Sequence, residues 1–156
     1  SSRRRHTRLL TVTGVQTCAL PICQRHGEAE APPARGWDAV TVPGMVAGWA
    51  TLHGELGRRP FDEVLAPAIE VAERGYAVPV VVQQKWAAAA RVESLVRQPG
   101  FAELFLPRGR APEVGERFAM PGAARTLRAI AATRGEAFYR GEVAAAIAAE
   151  IGRAHV

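Results

Sequence analysis

Three side chains near the start of the chain have the types and spacing of metal ligands. Cys18, Cys23 and His26 form a Cys-x4-Cys-x2-His pattern, and thiolate and imidazole groups are ligands that zinc prefers. A structural zinc site takes four such ligands, and this short irregular segment supplies no fourth. The sequence therefore predicts no metal site, and the three residues are interpreted as part of a tail.

His53 is the only histidine that lies away from the ends of the chain. A histidine serves as a general base when a nucleophile or a carboxylate is arranged beside it. No serine, cysteine or carboxylate stands around His53 in a recognisable pattern. We therefore predict that His53 is a partly exposed structural residue of a helix.

The charge of the chain is concentrated at its beginning. The formal net charge is +5, and six arginines and two glutamates within residues 1–35 account for +4 of it. The remaining residues are nearly neutral, and no arginine stripe with interleaved aromatic residues lies on any predicted helix, as a nucleic-acid surface would require. A nucleic-acid partner is not predicted.

Both ends of the chain look unlike the middle. Residues 1–23 combine a basic start with a diluted apolar run, which fits a signal peptide poorly and resembles translated sequencing-adaptor read-through. Residues 151–156 resemble the matching artefact at the other end. We therefore expect residues 1–23 and 151–156 to be non-native, residues 24–36 to be a linker, and residues 37–150 to be one partial domain.

The first half of this domain is predicted to contain a short strand followed by helices. Ala39–Val42 is rich in β-formers, and the helix after it has Val46, Trp49, Ala50 and His53 on one face, with Leu52 and Leu56 widening it. Gly57 is predicted to end that helix in a left-handed conformation. A second helix is predicted over 62–74, with a kink or a fresh start at Pro67.

The second half is predicted to be helical around one irregular segment. A third helix is expected from Val80 to Arg97 after an extended Tyr76–Val78, and residues 101–120 are expected to form a loop with a small hairpin. Helices are then predicted from Pro121 to Gly135 and from about Gly141 onward. No apolar run reaches the roughly 20 residues of a membrane span.

Several spaced segments carry a family resemblance. Val42–Trp49 reads Val-Pro-Gly-Met-Val-Ala-Gly-Trp, and Phe138–Gly141 reads Phe-Tyr-Arg-Gly. Between them, in order, lie Leu65–Ile69, Ala72–Tyr76, Phe105–Pro107, Gly115 and Glu116. Together these segments resemble the large subunit of the gamma-glutamyltransferases, also called glutathione hydrolases.

The resemblance implies an N-terminal-nucleophile hydrolase with an αββα sandwich, of which this chain would be a mainly α part with short strand and hairpin pieces. Such an enzyme is a precursor that cleaves itself. The freed threonine of its small subunit attacks gamma-glutamyl substrates such as glutathione, and no cofactor is implied. The resemblance also implies a periplasmic or secreted location. A cephalosporin-acylase-type relative and a non-enzymatic helical interaction domain are the alternatives.

The resemblance places none of the enzyme's reacting groups on this chain. No threonine in the matched region is followed by the Thr-His of a processing junction, and the family's substrate-binding arginine precedes the matched segment. We therefore assign no catalytic, substrate-binding or metal-binding residue. The residues considered and not assigned are Thr41, Thr51, Thr126, Thr133, Arg58, Arg59, Arg74, Arg108, Arg110 and Arg140.

Overall fold

The computed structural model describes residues 24, 25, 27, 40 and 42–154. Within the described residues the order of elements is α1 (Met45–Leu56), α2 (Phe61–Arg74), β1 (Tyr76–Ala77), α3 (Val80–Ala89), α4 (Glu93–Val96), α5 (Phe101–Phe105), β2 (Arg117–Phe118), α6 (Pro121–Thr133), α7 (Glu136–Tyr139) and α8 (Glu142–Ala154). The chain divides into two compact units, and Gly44–Ala148 contains the buried residues that the structure describes. None of the helices in the described part is long and apolar enough to cross a membrane.

Helices α2 and α6 form the most extensive helix pair of this unit. An ion pair between Glu73 and Arg128 joins them on their exposed side. The hydrogen-bonded Arg128 guanidinium holds the pKa of the Glu73 carboxyl below its usual value. At the end of α2, the Met120 amide donates to the carbonyl of Ala72 at 2.7 Å, so the start of α6 is tied directly to α2.

The core is small and lies where α1, α2 and α6 meet. Val46, Phe61 and Ile130 are buried against one another, and Leu65 and Phe138 pack on them from the side. Burial of such side chains contributes about 1.5–3 kcal/mol each. The packing of α1, α2 and α6 against one another therefore depends on a few buried apolar side chains.

A second packed region surrounds the two short strands. Strand β1 pairs antiparallel with β2, with Tyr76 opposite Phe118 and Ala77 opposite Arg117. The rings of Trp86 and Phe118 meet edge-on, with their centroids 4.6 Å apart. The Nε1–H of Trp86 donates to the carbonyl of Phe105 at 2.8 Å. These contacts attach α3 and α5 to the sheet.

Two predictions about α2 and its neighbours were right in outline and wrong in detail. Helix α2 is continuous across Pro67, so the predicted fresh start does not occur. Pro67 is exposed, and water can solvate the carbonyl that lacks its helical donor. Gly57 ends α1 with φ −69° and ψ 133°, which is extended backbone and not the predicted left-handed cap.

The irregular second half differs more from the prediction. The expected long third helix ends at Ala89, and Val92 is extended before the separate helix α4. This break lets the chain fold back so that Phe105 reaches Trp86. The predicted local hairpin in 101–120 is wrong, because Arg117–Phe118 pairs with Tyr76–Ala77 instead. Val40 and Val42 lie outside any regular element, while the rest of the predicted strand falls outside the described residues.

Candidate functional site

The threonines considered as nucleophiles are tied to the backbone wherever the structure gives their contacts. The Thr133 hydroxyl donates to the carbonyl of Ala129 at 2.7 Å and accepts the Ala137 amide at 3.0 Å, which links α6 to α7. The Thr126 hydroxyl donates to the carbonyl of Gly122 at 3.3 Å. Thr51 is exposed on α1, and Thr41 lies outside the described residues.

Three of the considered arginines each form an ion pair with a glutamate four residues away. Arg59 contacts Glu63 at 3.2 Å and Arg74 contacts Glu70 at 2.8 Å, both with exposed side chains. Arg140 lies 3.9 Å from Glu136. Exposed pairs of this kind contribute about 0.2–1 kcal/mol and stay accessible to solvent. Each of these guanidinium groups thus already has a glutamate partner; Arg74 lies on α2, whereas Arg59 precedes α2 and Arg140 follows α7.

Glu116 is a largely enclosed charged group on the loop before β2, its side chain being only 16% exposed. Its carboxylate accepts the Glu113 amide at 2.8 Å and binds both Arg108 and Arg110 at 2.9 Å. The Glu113 amide, followed by the hydrogen bond from Arg110, lowers the pKa of Glu116. A carboxylate held ionised by three donors is suited to fixing a loop, and it is a poor proton donor.

His53 closes the turn between α1 and α2. Its Nε2 lies 2.7 Å from the carbonyl of Arg59, and since a carbonyl only accepts, Nε2 carries the proton. The ring also contacts Phe61 edge-on at 4.9 Å. A Cβ on Gly57 would lie 2.4 Å from the carbonyl oxygen of His53 and 2.5 Å from its ring. Glycine at position 57 is therefore needed for His53 to occupy this position.

Metal ligation finds no support among the residues that the structure describes. No group of three histidine, cysteine, aspartate or glutamate side chains in that part of the chain is placed to hold an ion. Cys18, Cys23 and His26, the partial ligand set of the sequence, lie outside the described residues.

One candidate for a functional surface among the described residues is apolar. A groove of about 590 Å³ runs between α1 and α2 and is lined by Trp49, Leu52, His53, Leu56, Gly57, Phe61, Val64, Leu65, Ala68 and Leu127. A smaller apolar cavity of about 360 Å³ lies between α3 and α5, beside Trp86, Phe101 and Phe105. Both linings are apolar except for His53 in the groove and Lys85 in the cavity, and the Nε2 of His53 is already bound to the carbonyl of Arg59. Apolar surfaces of this kind bind other apolar surfaces.

The periodicity of α1 predicted an apolar face but not which part of it faces inward. Val46 is buried and Ala50 half-buried, whereas Trp49 is 38% exposed and Leu52 is 60% exposed. Leu56, at 72%, is more exposed still. The inward face is thus narrower than the apolar face, and the excess apolar residues form one wall of the groove.

Comparison with known proteins finds a matching family model and similar bacterial proenzymes. The family model described as gamma-glutamyltranspeptidase matches residues 19–155. The oxamate amidohydrolase proenzyme of Klebsiella pneumoniae is 41% identical over 80% of this chain and 24% of its own length. A glutathione hydrolase-like proenzyme of Bacillus subtilis is 39% identical over 76% of this chain and 22% of its own length.

The structural comparison agrees with these relatives. The crystal structure of a cephalosporin acylase from Bacillus halodurans superposes with a TM-score of 0.73 at 39% identity, covering 83% of this chain and 25% of the acylase chain. The chain therefore spans about a quarter of the length of these three relatives.

Proposed function

The chain belongs to the gamma-glutamyltranspeptidase family, and from this we propose that it is part of the large subunit of a self-cleaving amide hydrolase or transferase. The observation that carries the proposal is the family match over residues 19–155. In the proposed enzyme, these residues build a helical layer of the scaffold, and the reacting groups come from parts of the precursor outside this chain.

The proposed reaction is acyl transfer through a covalent intermediate. The N-terminal threonine that self-cleavage frees on the small subunit attacks the gamma-glutamyl carbonyl, and its own amine accepts the proton. Donors in an oxyanion hole stabilise the tetrahedral intermediate. It collapses to an acyl-enzyme and a free amine as the threonine's ammonium group gives its proton to the leaving nitrogen. Water or an acceptor amine then releases the gamma-glutamyl group. The small subunit and gamma-glutamyl substrates such as glutathione are thus proposed partners, and export to the periplasm or medium is part of the proposal.

The described residues fit a supporting role in this scheme. The hydroxyls of Thr126 and Thr133 are committed to helix backbone, and the Glu116 carboxylate is held by two arginines. Each of these groups already has the partners that its chemistry requires. What the layer offers to the rest of an enzyme is apolar surface along α1 and α2.

A second candidate within the family is an acylase or amidohydrolase with another acyl group. It is favoured by the 39% identity and TM-score of 0.73 to the cephalosporin acylase, and by the 41% identity to the oxamate amidohydrolase proenzyme. In this proposal the same threonine chemistry would serve each of these reactions, and the acyl pocket would determine which amide is cleaved. The glutathione hydrolase-like relative, at 39% identity, supports the gamma-glutamyl reading.

The test is to recover the precursor from its genomic locus and express it. We expect self-cleavage at a threonine, visible as two bands and by mass spectrometry, and loss of cleavage when that threonine is replaced by alanine. The processed protein is then given a gamma-glutamyl anilide, a cephalosporin amide and oxamate in parallel. Preference for the anilide supports the gamma-glutamyl proposal, and preference for either other amide supports the second candidate.

One result would refute both candidates. An open reading frame that encodes no self-cleaving threonine downstream of Glu150, and whose product hydrolyses none of the three amides, would point to the non-enzymatic helical interaction domain instead.

A further inference from the structure

Helix α1 carries a regular apolar stripe on its outer side. Met45, Trp49, Leu52 and Leu56, which we call the α1 stripe, follow one another at spacings of four, three and four residues. Their exposed fractions are 65%, 38%, 60% and 72%. This spacing places the four side chains in one line, as in the contact seam of packed helices. A row of large apolar side chains in contact with water is unfavourable unless another surface covers it.

The stripe continues into the groove beside it. Across the groove, Val64 of α2 is 52% exposed, and Leu65, Ala68 and Leu127 complete the floor. The lining includes no Asp, Glu, Lys or Arg. A partner that carried charge at this position would lose hydration without gaining an ion pair. The surface therefore fits an apolar partner.

Gly48 gives a second, independent indication. It lies one turn before Leu52 on α1, and a Cβ at this position would meet nothing within 4 Å. Glycine inside a helix is less favourable than alanine, and the packing of the described residues does not require it here. A glycine beside an apolar stripe allows another backbone to approach the helix closely.

We propose that the α1 stripe, the groove and Gly48 form the surface on which the rest of the precursor packs, through an apolar face of a regular element that lies outside these 156 residues. This rests on the proposed function. The chain spans 24% of the length of the oxamate amidohydrolase proenzyme and 25% of the cephalosporin acylase chain, so about three quarters of such a protein is available to supply the covering element.

The experiment compares the same substitutions in the isolated chain and in the precursor. The double substitution Leu52→Gln with Leu56→Gln makes the C-terminal half of the α1 stripe polar. Val81→Gln is the control, because Val81 lies on α3 and is exposed to about the same extent as Leu52, 61% against 60%. Gly48→Leu blocks close approach, and Gly54→Leu is its control, since a Cβ on Gly54 also meets nothing within 4 Å. The measurements are anilinonaphthalene sulfonate fluorescence, size-exclusion chromatography and thermal unfolding.

We expect the substitutions to affect the isolated chain and the precursor differently. In the isolated chain, the double glutamine variant reduces dye binding and association at an unchanged Tm. In the precursor, the double variant and Gly48→Leu each lower the Tm by about 4 °C or more, and both controls leave it within about 1 °C.

Three results would overturn the proposal. A discrete dimer of the isolated chain that the double variant dissociates, with the precursor unaffected, would show that a second copy occupies the surface. A precursor whose Tm is unchanged by every variant would show that the surface faces solvent. Equal losses from Val81→Gln and the stripe variants would show a general effect of polarity. A folded precursor that neither self-cleaves nor hydrolyses an amide would instead refute the proposed function, while its Tm still tests the packing surface.

Discussion

Replacement of Gly75 by alanine is predicted to weaken the junction of α2 with the sheet. Gly75 follows α2 with φ 79° and ψ 167°, a conformation that residues with a Cβ rarely adopt. A Cβ built there would lie 2.7 Å from the carbonyl oxygen of Phe118 and 2.9 Å from its carbonyl carbon. Both atoms belong to the backbone of β2 and cannot rotate away.

The expected loss combines two effects. The backbone conformation costs an alanine about 1–3 kcal/mol. Moving Phe118 away from the new methyl group disturbs its pairing with Tyr76, and one weakened hydrogen bond adds about 1 kcal/mol. The free energy of unfolding should therefore fall by about 2–4 kcal/mol, a large part of the roughly 5–15 kcal/mol that stabilises an intact domain.

Gly109→Ala is the matched control. Gly109 has φ 72°, and a Cβ at this position meets nothing within 4 Å, so its substitution should cost only the backbone preference, about 1–2 kcal/mol. Urea titrations followed by circular dichroism, with trimethylamine N-oxide to strengthen the folded state, would compare the two variants. Equal unfolding free energies for Gly75→Ala and Gly109→Ala would refute the argument, because they would show that Phe118 does not restrict position 75.

Three further predictions concern activity, pH and the ends of the chain. The purified 156-residue chain should not hydrolyse a gamma-glutamyl anilide or glutathione, and turnover above background would contradict the assignment of no catalytic residue. The folded-state pKa of Glu116 lies below the ordinary 4.5, so its contribution to stability is complete above about pH 4.5 and is lost as the pH falls through the folded pKa. Glu116→Gln should therefore weaken the pH dependence of the unfolding free energy measured by urea titration. An unchanged pH dependence in this variant would contradict the prediction. Deletion of residues 1–23 and 152–156 should leave the helical circular dichroism and the melting behaviour unchanged, and the loss of a cooperative transition would show that the deleted segments are native.

The family and the fold class could be predicted from the sequence because their signals are local and repeated. The family is confirmed by the match to its model, and the mainly helical fold of a hydrolase of this type is confirmed by its structural relatives. Helix α2 was predicted within one residue of its bounds, since its apolar stripe and Gly75 act within the helix itself. The predicted boundaries at residues 23, 36 and 150 stay a prediction, and the family match runs from 19 to 155.

The errors arose where contacts distant in the sequence decide the structure. Arg117–Phe118 has a partner about forty residues earlier, which no pattern within residues 101–120 could indicate. The chain leaves the helical conformation between α3 and α4, and this allows Phe105 of α5 to contact Trp86 of α3. For the site, the sequence predicted the apolar face of α1, but the exposed part of that face depends on where α2 and α6 lie against it.

The segment between β1 and β2 begins and ends at neighbouring positions in the structure. The Val78 amide donates to the carbonyl of Glu116 at 3.0 Å, and the Gly115 amide donates to the carbonyl of Val78 at 2.8 Å. Both ends of residues 79–114 are thus fixed beside one another by backbone hydrogen bonds, and within the segment Trp86 packs on Phe118 of β2. Because the entropy cost of closing a loop rises only slowly with its length, insertions and deletions in this segment can accumulate during evolution without displacing α2 from α6. A change in the length of residues 79–114 is accordingly expected to leave the contact between α2 and α6 in place.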